Sequence, residues 1–316
     1  MIFVFLILGW TRGVDAAPTR VGYSALGGAY IPLWVAQDEG YFKHHGLEAQ
    51  TVYIAGGAVV IQAMLAGDIQ FALAGATAPI RASLNGGDLK LIATTINAMD
   101  FYLVSRADIS SIQELKGKKV GITRFGGNTD FALEMVLGKW GLQRGRDVAV
   151  LQTGGMPQLM SALQAGRLDA GVITAILGLT AMKAGFRRLM DFGDLAIPYP
   201  LGPLIARESY IKSHRDLTLR FLRAYVEGIH RVLTDPETAI KALAKYTRVQ
   251  DSEVLAETYR IYRGRYLEKL YVNLEGVRNL LRSELREASG AKAEQFVDNS
   301  FVEQLDREGL FRALSR

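Results

Sequence analysis

The feature that most constrains this chain is a phrase that occurs twice. VIQAMLAGDIQFALAG, residues 60–75, has a near copy in QLMSALQAGRLDAGVIT, residues 158–174. Aligning Gly67 with Gly166, 99 residues apart, places Ala63, Ala66 and Ile69 on Ala162, Ala165 and Leu168, and Gly56 on Gly155. Each copy reads as a glycine pair, a short amphipathic helix, a glycine where the helix must stop in a left-handed residue, and an apolar strand. That is half of a βαβ unit. A period of about 100 residues is too long for a solenoid, whose repeats run about 20–50 residues, so the pattern predicts two similar α/β lobes.

The rest of the chain fits around this pair. From Thr19, short apolar runs alternate with helical stretches: RVGYSA, IPLWVAQDEGYF, LEAQTVYI, the first copy of the phrase, then LKLIATT. Such alternation predicts an α/β lobe with a largely parallel sheet. FYLVSR (101–106) is a further strand, after which KKVGIT, the turn FGGN and the helix TDFALEMVLGKW open a second lobe. VAVLQT, the second copy and FRRLMDFGD complete it. Pro198, Pro200 and Pro203 prevent PYPLGPLIARESYI from being helical throughout, and it is read as the return crossing. The expected crossings are Leu103 to Arg106 and Ile197 to Gly202. Lobe one is then 18–104 with 200–316, and lobe two is 105–199. From about residue 212 the pattern is helical, and TDPETAIKALAKY shows a cap with Pro236 in its first turn. This tail has no counterpart in the repeat, and it is expected to buttress one lobe.

With 316 residues, 49% of them hydrophobic, the chain can bury a large core and build about two domains. Residues 2–10, IFVFLILGW, followed by Val14-Asp15-Ala16, have the form of a secretory segment with a small-residue cleavage site. Nine apolar residues cannot span a bilayer. Residues 1–17 are therefore expected to be a signal peptide, with a mature start near Ala17. The chain contains no Cys, which excludes disulfides, thiolate metal sites and a lipid-modified cysteine, and suits a bacterial periplasm. The 37 basic and 32 acidic residues are interspersed, so the net +5 biases partners toward anions without specifying nucleic acid.

In open α/β sheets, ligands sit beyond the carboxyl ends of strands and at helix N-termini. Five turns qualify here: Ser24 to Tyr30, Ala55 to Gly57, Ala74 to Thr77, Arg124 to Thr129 and Thr153 to Met156. Their glycines let the backbone come close to a ligand, and paired glycines on both lobes could grip a polar head from two sides. FGGN lacks nucleotide-motif spacing. Arg124 beside a helix N-terminus suits a carboxylate or sulfonate. Asp130, in the first turn of that helix, either stabilises the helix end, pairs with Arg124 to hold the turn, or faces the cleft and calls for a cationic ligand group.

Catalytic chemistry has little support. Of four His, His44 and His45 are adjacent and would diverge by about 100° on a helix, so no shared metal is expected. His214 and His230 fall in the helical tail. Motifs of the G-x-S-x-G and H-E-x-x-H type are missing. Tyr259, Tyr262 and Tyr266 recur at helical spacing among Arg260, Arg263 and Arg265, which reads as a core stripe with a basic solvated face rather than an RNA surface. No catalytic residue, metal or cofactor is expected.

PLWVAQDEGYFKHHGLEA (32–49), the glycine pair before VIQAMLAGDIQFALAGA, the ELKGKKVGI entry to lobe two and LQAGRLDAGVIT together resemble the nitrate/sulfonate/taurine-type periplasmic substrate-binding proteins of ABC transporters, a family that includes binders of thiamine-pyrimidine precursors. The resemblance covers roughly residues 19–210 in order. It implies an α/β, two-lobed type II periplasmic binding protein fold with two hinge crossings and a C-terminal helical region. It further implies a non-enzymatic, monomeric receptor in the periplasm that closes over a small organic molecule, such as a sulfonate, carboxylate or pyrimidine, and delivers it to a membrane permease. The cleft positions it implies are Ser24, Tyr30, Gly56, Gly57, Gly75, Ala76, Thr77, Asn97, Arg124, Phe125, Gly126, Asn128, Gly155, Met156 and Thr174. The cysteine-rich motif of the family's eukaryotic enzymatic branch is missing. The alternative is an enzyme on the same fold, such as the menaquinone-pathway members.

Overall fold

A computed structural model describes residues 18–284 and 290–314. The predicted signal segment lies outside these residues. Strands β1 (Thr19–Tyr23), β2 (Ala49–Tyr53), β3 (Phe71–Leu73) and β4 (Leu89–Ala93) alternate with helices α1 (Ile31–Asp38), α2 (Tyr41–His44), α3 (Gly57–Ala66) and α4 (Thr77–Leu84). The chain leaves through β5 (Ile96–Ala98). It then builds β6 (Phe101–Ser105), β7 (Lys119–Ile122), α5 (Asn128–Lys139), β8 (Ala149–Gln152), α6 (Met156–Gln164), β9 (Ala170–Thr174), α7 (Ala175–Lys183) and β10 (Arg187–Asp191). It returns through β11 (Pro198–Leu201) to β12 (Leu204–Arg207) and continues as α8 (Glu208–Ser213), α9 (Arg215–Thr234), α10 (Pro236–Thr247), α11 (Ser252–Arg263) and further short helices.

The two five-stranded sheets share one topology. The first runs β2-β1-β3-β12-β4 and the second β8-β7-β9-β6-β10. In each, three parallel strands from one half of the chain are followed by an antiparallel strand, β12 or β6, that has just arrived through the crossing. The doubled phrase occupies α3–β3 in one lobe and α6–β9 in the other. Both strands are buried along their whole length, as strands with covered faces require. Gly67 and Gly166 follow the two helices with φ of +88° and +68°, in the left-handed region where glycine is at no disadvantage.

The equivalence extends beyond the phrase. A Cβ on Gly22 of β1 would lie 2.5 Å from Ile69 Cδ1, and one on Gly121 of β7 would lie 2.4 Å from Leu168 Cδ1. Both pairs are related by the same 99-residue offset. Each central strand therefore carries a glycine so that the branched side chain entering the third strand can lie flat on it.

The lobes are joined by a two-stranded antiparallel ribbon, β5 with β11, in which Ile96 faces Leu201 and Ala98 faces Pro198. Pro198 to Gly202 thus falls at the return crossing. The outgoing crossing is β5 rather than Leu103 to Arg106. β6 pairs with β9 and β10 and is buried throughout, so its apolar run belongs to a central strand.

The helical tail does more than buttress one lobe. α9 packs on α1 so closely that a Cβ on Gly228 would lie 2.4 Å from the Pro32 carbonyl oxygen. α10 is capped by Asp235, which accepts from the Thr238 N–H at 3.0 Å, with Pro236 in its first turn. α11 then reaches lobe two, where Lys183 of α7 bonds Asp251 at 2.8 Å and Glu253 at 2.6 Å. Just beyond α11, the Tyr266 hydroxyl donates to the Gly28 carbonyl of lobe one at 2.6 Å. Tyr259 and Tyr262 are buried, so the tyrosine spacing marks core packing.

A candidate ligand cleft between the lobes

The carboxyl ends of the parallel strands in both sheets face each other, and the helices that follow them begin at this junction. The cavity there is lined by Ser24, Ala25, Ala29, Tyr30, Gly56 and Gly57 from lobe one, by Thr123, Asn128, Thr129, Met156 and Thr174 from lobe two, and by Asp100, Phe101 and Leu201 beside the crossings. Its volume is about 30 Å³, room for only one or two waters, so a ligand of organic-acid size requires the lobes to part. Helices α3, α5, α6 and α7 all start on this cavity at Gly56, Gly127, Gly155 and Thr174, and among the described residues none of these N-caps supplies a side-chain hydrogen bond. Three of the four caps are glycine where Ser, Asp or Asn would normally stand, and at the fourth the Thr174 hydroxyl is turned to the Leu26 carbonyl instead. The first N–H groups of four helices, with the positive ends of their dipoles, are thereby left for something in the cleft.

Polar contacts hold the lobes together across the cavity. The Thr174 hydroxyl donates to the Leu26 carbonyl at 3.1 Å. The Tyr199 hydroxyl on the ribbon donates to Asn128 Oδ1 at 2.7 Å and lies 3.1 Å from the Thr77 hydroxyl. Gly75 makes room for this arrangement, because a Cβ there would fall 1.5 Å from Asn128 Nδ2. Ser24 and Tyr30 are 2.8 Å apart, oxygen to oxygen, and burial pushes the Tyr30 hydroxyl above its ordinary pKa.

Asp100 is the ionisable residue that sequence reasoning missed. It is 3% exposed and accepts a hydrogen bond from the Tyr262 hydroxyl of α11. Burial raises its pKa to about 6 against the opposing effects of that hydrogen bond and of the Arg265 charge. Tyr262 reaches it by lying flat on Gly28, where a Cβ would meet the ring at 2.0 Å. One acidic residue between the apolar stretches around INAM and FYLV was the signal available in the sequence.

Of the residues named from sequence, Ser24, Tyr30, Gly56, Gly57, Asn128, Met156 and Thr174 line the cavity. Gly75 and Thr77 stand behind it in the Asn128–Tyr199 contact, Ala76 is the buried cap of α4, and Gly155 packs on Ala55 across the junction. Asn97 lies in the β5 ribbon. Arg124 borders the cavity rather than lining it. Its side chain extends over Gly56 of lobe one, where a Cβ would lie 3.0 Å from Arg124 Cδ, and its Nε is buried without a hydrogen-bond partner among the described residues. Phe125 turns outward, 46% exposed beneath the Arg144 guanidinium, 4.7 Å from the ring centre, whereas Gly126 faces lobe one, where a Cβ would lie 2.9 Å from Arg81 Nη1 of α4. Asp130 does not pair with Arg124. It accepts from the Gly126 N–H at 2.8 Å and pairs with Arg144 at 2.7 Å, so it stabilises the helix end and leaves Arg124 uncommitted.

This architecture defines a two-lobed periplasmic binding protein fold. The alkanesulfonate-binding protein SsuA of Xanthomonas axonopodis pv. citri, solved with MOPS, superposes with a TM-score of 0.74 at 18% identity, covering 92% of this chain and 98% of that one. Residues 28–239 match the NMT1/THI5-like family, and the chain belongs to that family. A relative in Brucella abortus (strain 2308), named as a binding protein, is 27% identical over 252 residues, 77% of this chain and 76% of its own. The 4-amino-5-hydroxymethyl-2-methylpyrimidine phosphate synthase THI5 of Saccharomyces cerevisiae is 21% identical over 262 residues, 77% of this chain and 74% of its own.

Proposed function

We propose that this protein is the solute-binding component of an ABC importer. It works in the periplasm, binds a small organic anion between its lobes without transforming it, and hands it to a membrane permease. The observation that carries this reading is the convergence of four helix N-termini, without side-chain caps and drawn from both lobes, on one cleft. Such ends favour anionic oxygens. Arg124, whose guanidinium reaches across the junction, adds a charged donor at the rim, and Asp100 on the cleft wall accepts a hydrogen-bond donor elsewhere on the ligand. A receptor of this kind needs no acid–base pair. The names of the Brucella and Xanthomonas proteins agree with it, and no helix among the described residues is long and apolar enough to cross a membrane.

A thermal-shift screen of sulfonates, carboxylates and aminopyrimidines tests the reading. A ligand at 100 times its Kd should stabilise the protein by about 2.7 kcal/mol. For an anionic hit, Arg124→Ala should weaken binding by roughly ten- to a hundredfold while the apo melting temperature stays within about 2 °C, because charged hydrogen bonds contribute on the order of 1.5–3 kcal/mol. Unchanged affinity removes Arg124 from the site, and recovery of the hit in altered form by mass spectrometry would replace the receptor with an enzyme.

The same hit should alter shape. A ligand that touches both walls only when they are close favours the closed form. Small-angle scattering is expected to show a smaller radius of gyration with ligand than without, with the change centred on the β5–β11 ribbon. Identical profiles would mean a rigid cleft.

A further inference from the structure

We propose that His44, His45 and Glu227 form a binding site for a divalent transition metal of the zinc class on the outer face of lobe one, where it clips α2 to α9. None of the three lines the cleft. Neighbouring residues on a continuous helix would point about 100° apart, which is why the His-His pair carried no metal expectation in the sequence. The chain, however, leaves the helix here: α2 ends at His44, and His45 has φ −88° and ψ +15°. Both rings turn to the same carboxylate on α9. His45 Nε2 lies 2.8 Å from Glu227 Oε1 and His44 Nδ1 lies 3.8 Å from Glu227 Oε2. One donor atom from each of the three residues lies within 4.8 Å of the others. A tetrahedral zinc with ligand distances of about 2.1 Å has edges of about 3.4 Å between donor atoms, so these separations need adjustments of about 1.5 Å or less.

The surroundings hold the donors in place. Gly46, with φ +69°, closes the turn, and Arg220 donates to the Gly46 carbonyl at 2.8 Å and to the His45 carbonyl at 3.3 Å. Phe42 of α2 is buried against Phe221 of α9, with ring centres 4.9 Å apart. The arginines of α9 that flank Glu227 already have carboxylates of their own: Arg220 with Asp216, Arg223 with Glu308, and Arg231 with Asp235 and Glu39. Glu227 is left to the two imidazoles. Two neutral imidazole nitrogens and a carboxylate, with a remaining position open to water, suit zinc, cobalt, nickel or copper, whereas calcium and magnesium prefer oxygen ligands throughout. Metal binding would require His45 as the neutral tautomer with its proton on Nδ1, freeing Nε2.

The test uses the untagged chain stripped with a chelator. Titration with zinc in a calorimeter is expected to give one saturable site per chain, cobalt to give visible absorption bands in the same stoichiometry, and magnesium to give neither. His45→Gln and Glu227→Gln should each weaken zinc binding at least tenfold, and His44→Gln should weaken it less, because that ring is 74% exposed. His230→Gln is the control and should bind as the parent does. Each variant is checked for its native circular dichroism spectrum at the titration temperature, so a folding failure is not read as metal loss. No saturable zinc uptake by the parent, parent-like affinity in folded His45→Gln and Glu227→Gln, or an equal response to magnesium would each overturn the site.

Discussion

Asp100→Asn is expected to melt well above the parent at pH 8 and close to it at pH 4. A free carboxyl titrates near 3.9, whereas burial beside the cleft holds that of Asp100 at about 6. Below about pH 4 the group is protonated in the folded and unfolded chain alike, and it has no effect on the balance. Between the two values the unfolded chain releases its proton while the folded chain keeps it, so stability falls as pH rises. Above about pH 6 the loss is complete. A difference of about two pKa units amounts to about 3 kcal/mol, taken as an upper figure. Asparagine has no such loss, and its carbonyl can accept the same Tyr262 hydrogen bond. The expected gain at pH 8 is about 2–3 kcal/mol, or roughly 3–5 °C in melting temperature for a chain of this size. Differential scanning calorimetry from pH 4 to pH 8 checks this, and a gap that is independent of pH would show that the carboxyl is not held protonated. A stable variant that binds the cognate solute poorly would also explain the retention of a costly acid at this position, since strained or desolvated groups persist where they bind something.

Gly75→Leu is expected to abolish tight binding without unfolding lobe one. The backbone of Gly75 lies outside the left-handed region, so a larger residue meets no conformational penalty. The obstacle is Asn128 of lobe two, whose amide occupies the space a Cβ would take, held there by the Tyr199 hydroxyl at 2.7 Å. Leucine would wedge the lobes apart at the point where Thr77, Tyr199 and Asn128 meet. A ligand gripped from both walls then loses one wall, and its affinity should fall a hundredfold or more, equivalent to at least about 2.7 kcal/mol. Calorimetry with the solute found in the screen measures the loss. Scattering on the variant should give the open profile with and without ligand. Parent-like binding would show that the Gly75–Asn128 approach plays no part in closure.

Much of the architecture was written locally. The 99-residue echo, the glycines that end α3 and precede β9, and the apolar runs of β3 and β9 are short-range signals, and each is decided by residues within a turn or two of one another. They were enough to predict two like lobes and to point at the turns between strand and helix, where Ser24, Gly56, Asn128, Met156 and Thr174 lie. FYLVSR was legible as a strand, but the sheet that would receive it was not, because an apolar run carries no record of its partners. Tertiary structure decided the rest. Asp100 depends on Tyr262, 162 residues away, and on Gly28 leaving room for the ring. Asp130 chose Arg144 over Arg124, and the two histidines converge because the helix ends between them on a face already shaped by α9. Periodicity and turn chemistry specify where an element begins and which face it buries, since those follow from local backbone sterics and apolar area. The partner a polar side chain finds depends on which distant elements pack beside it, and only the folded chain brings those together.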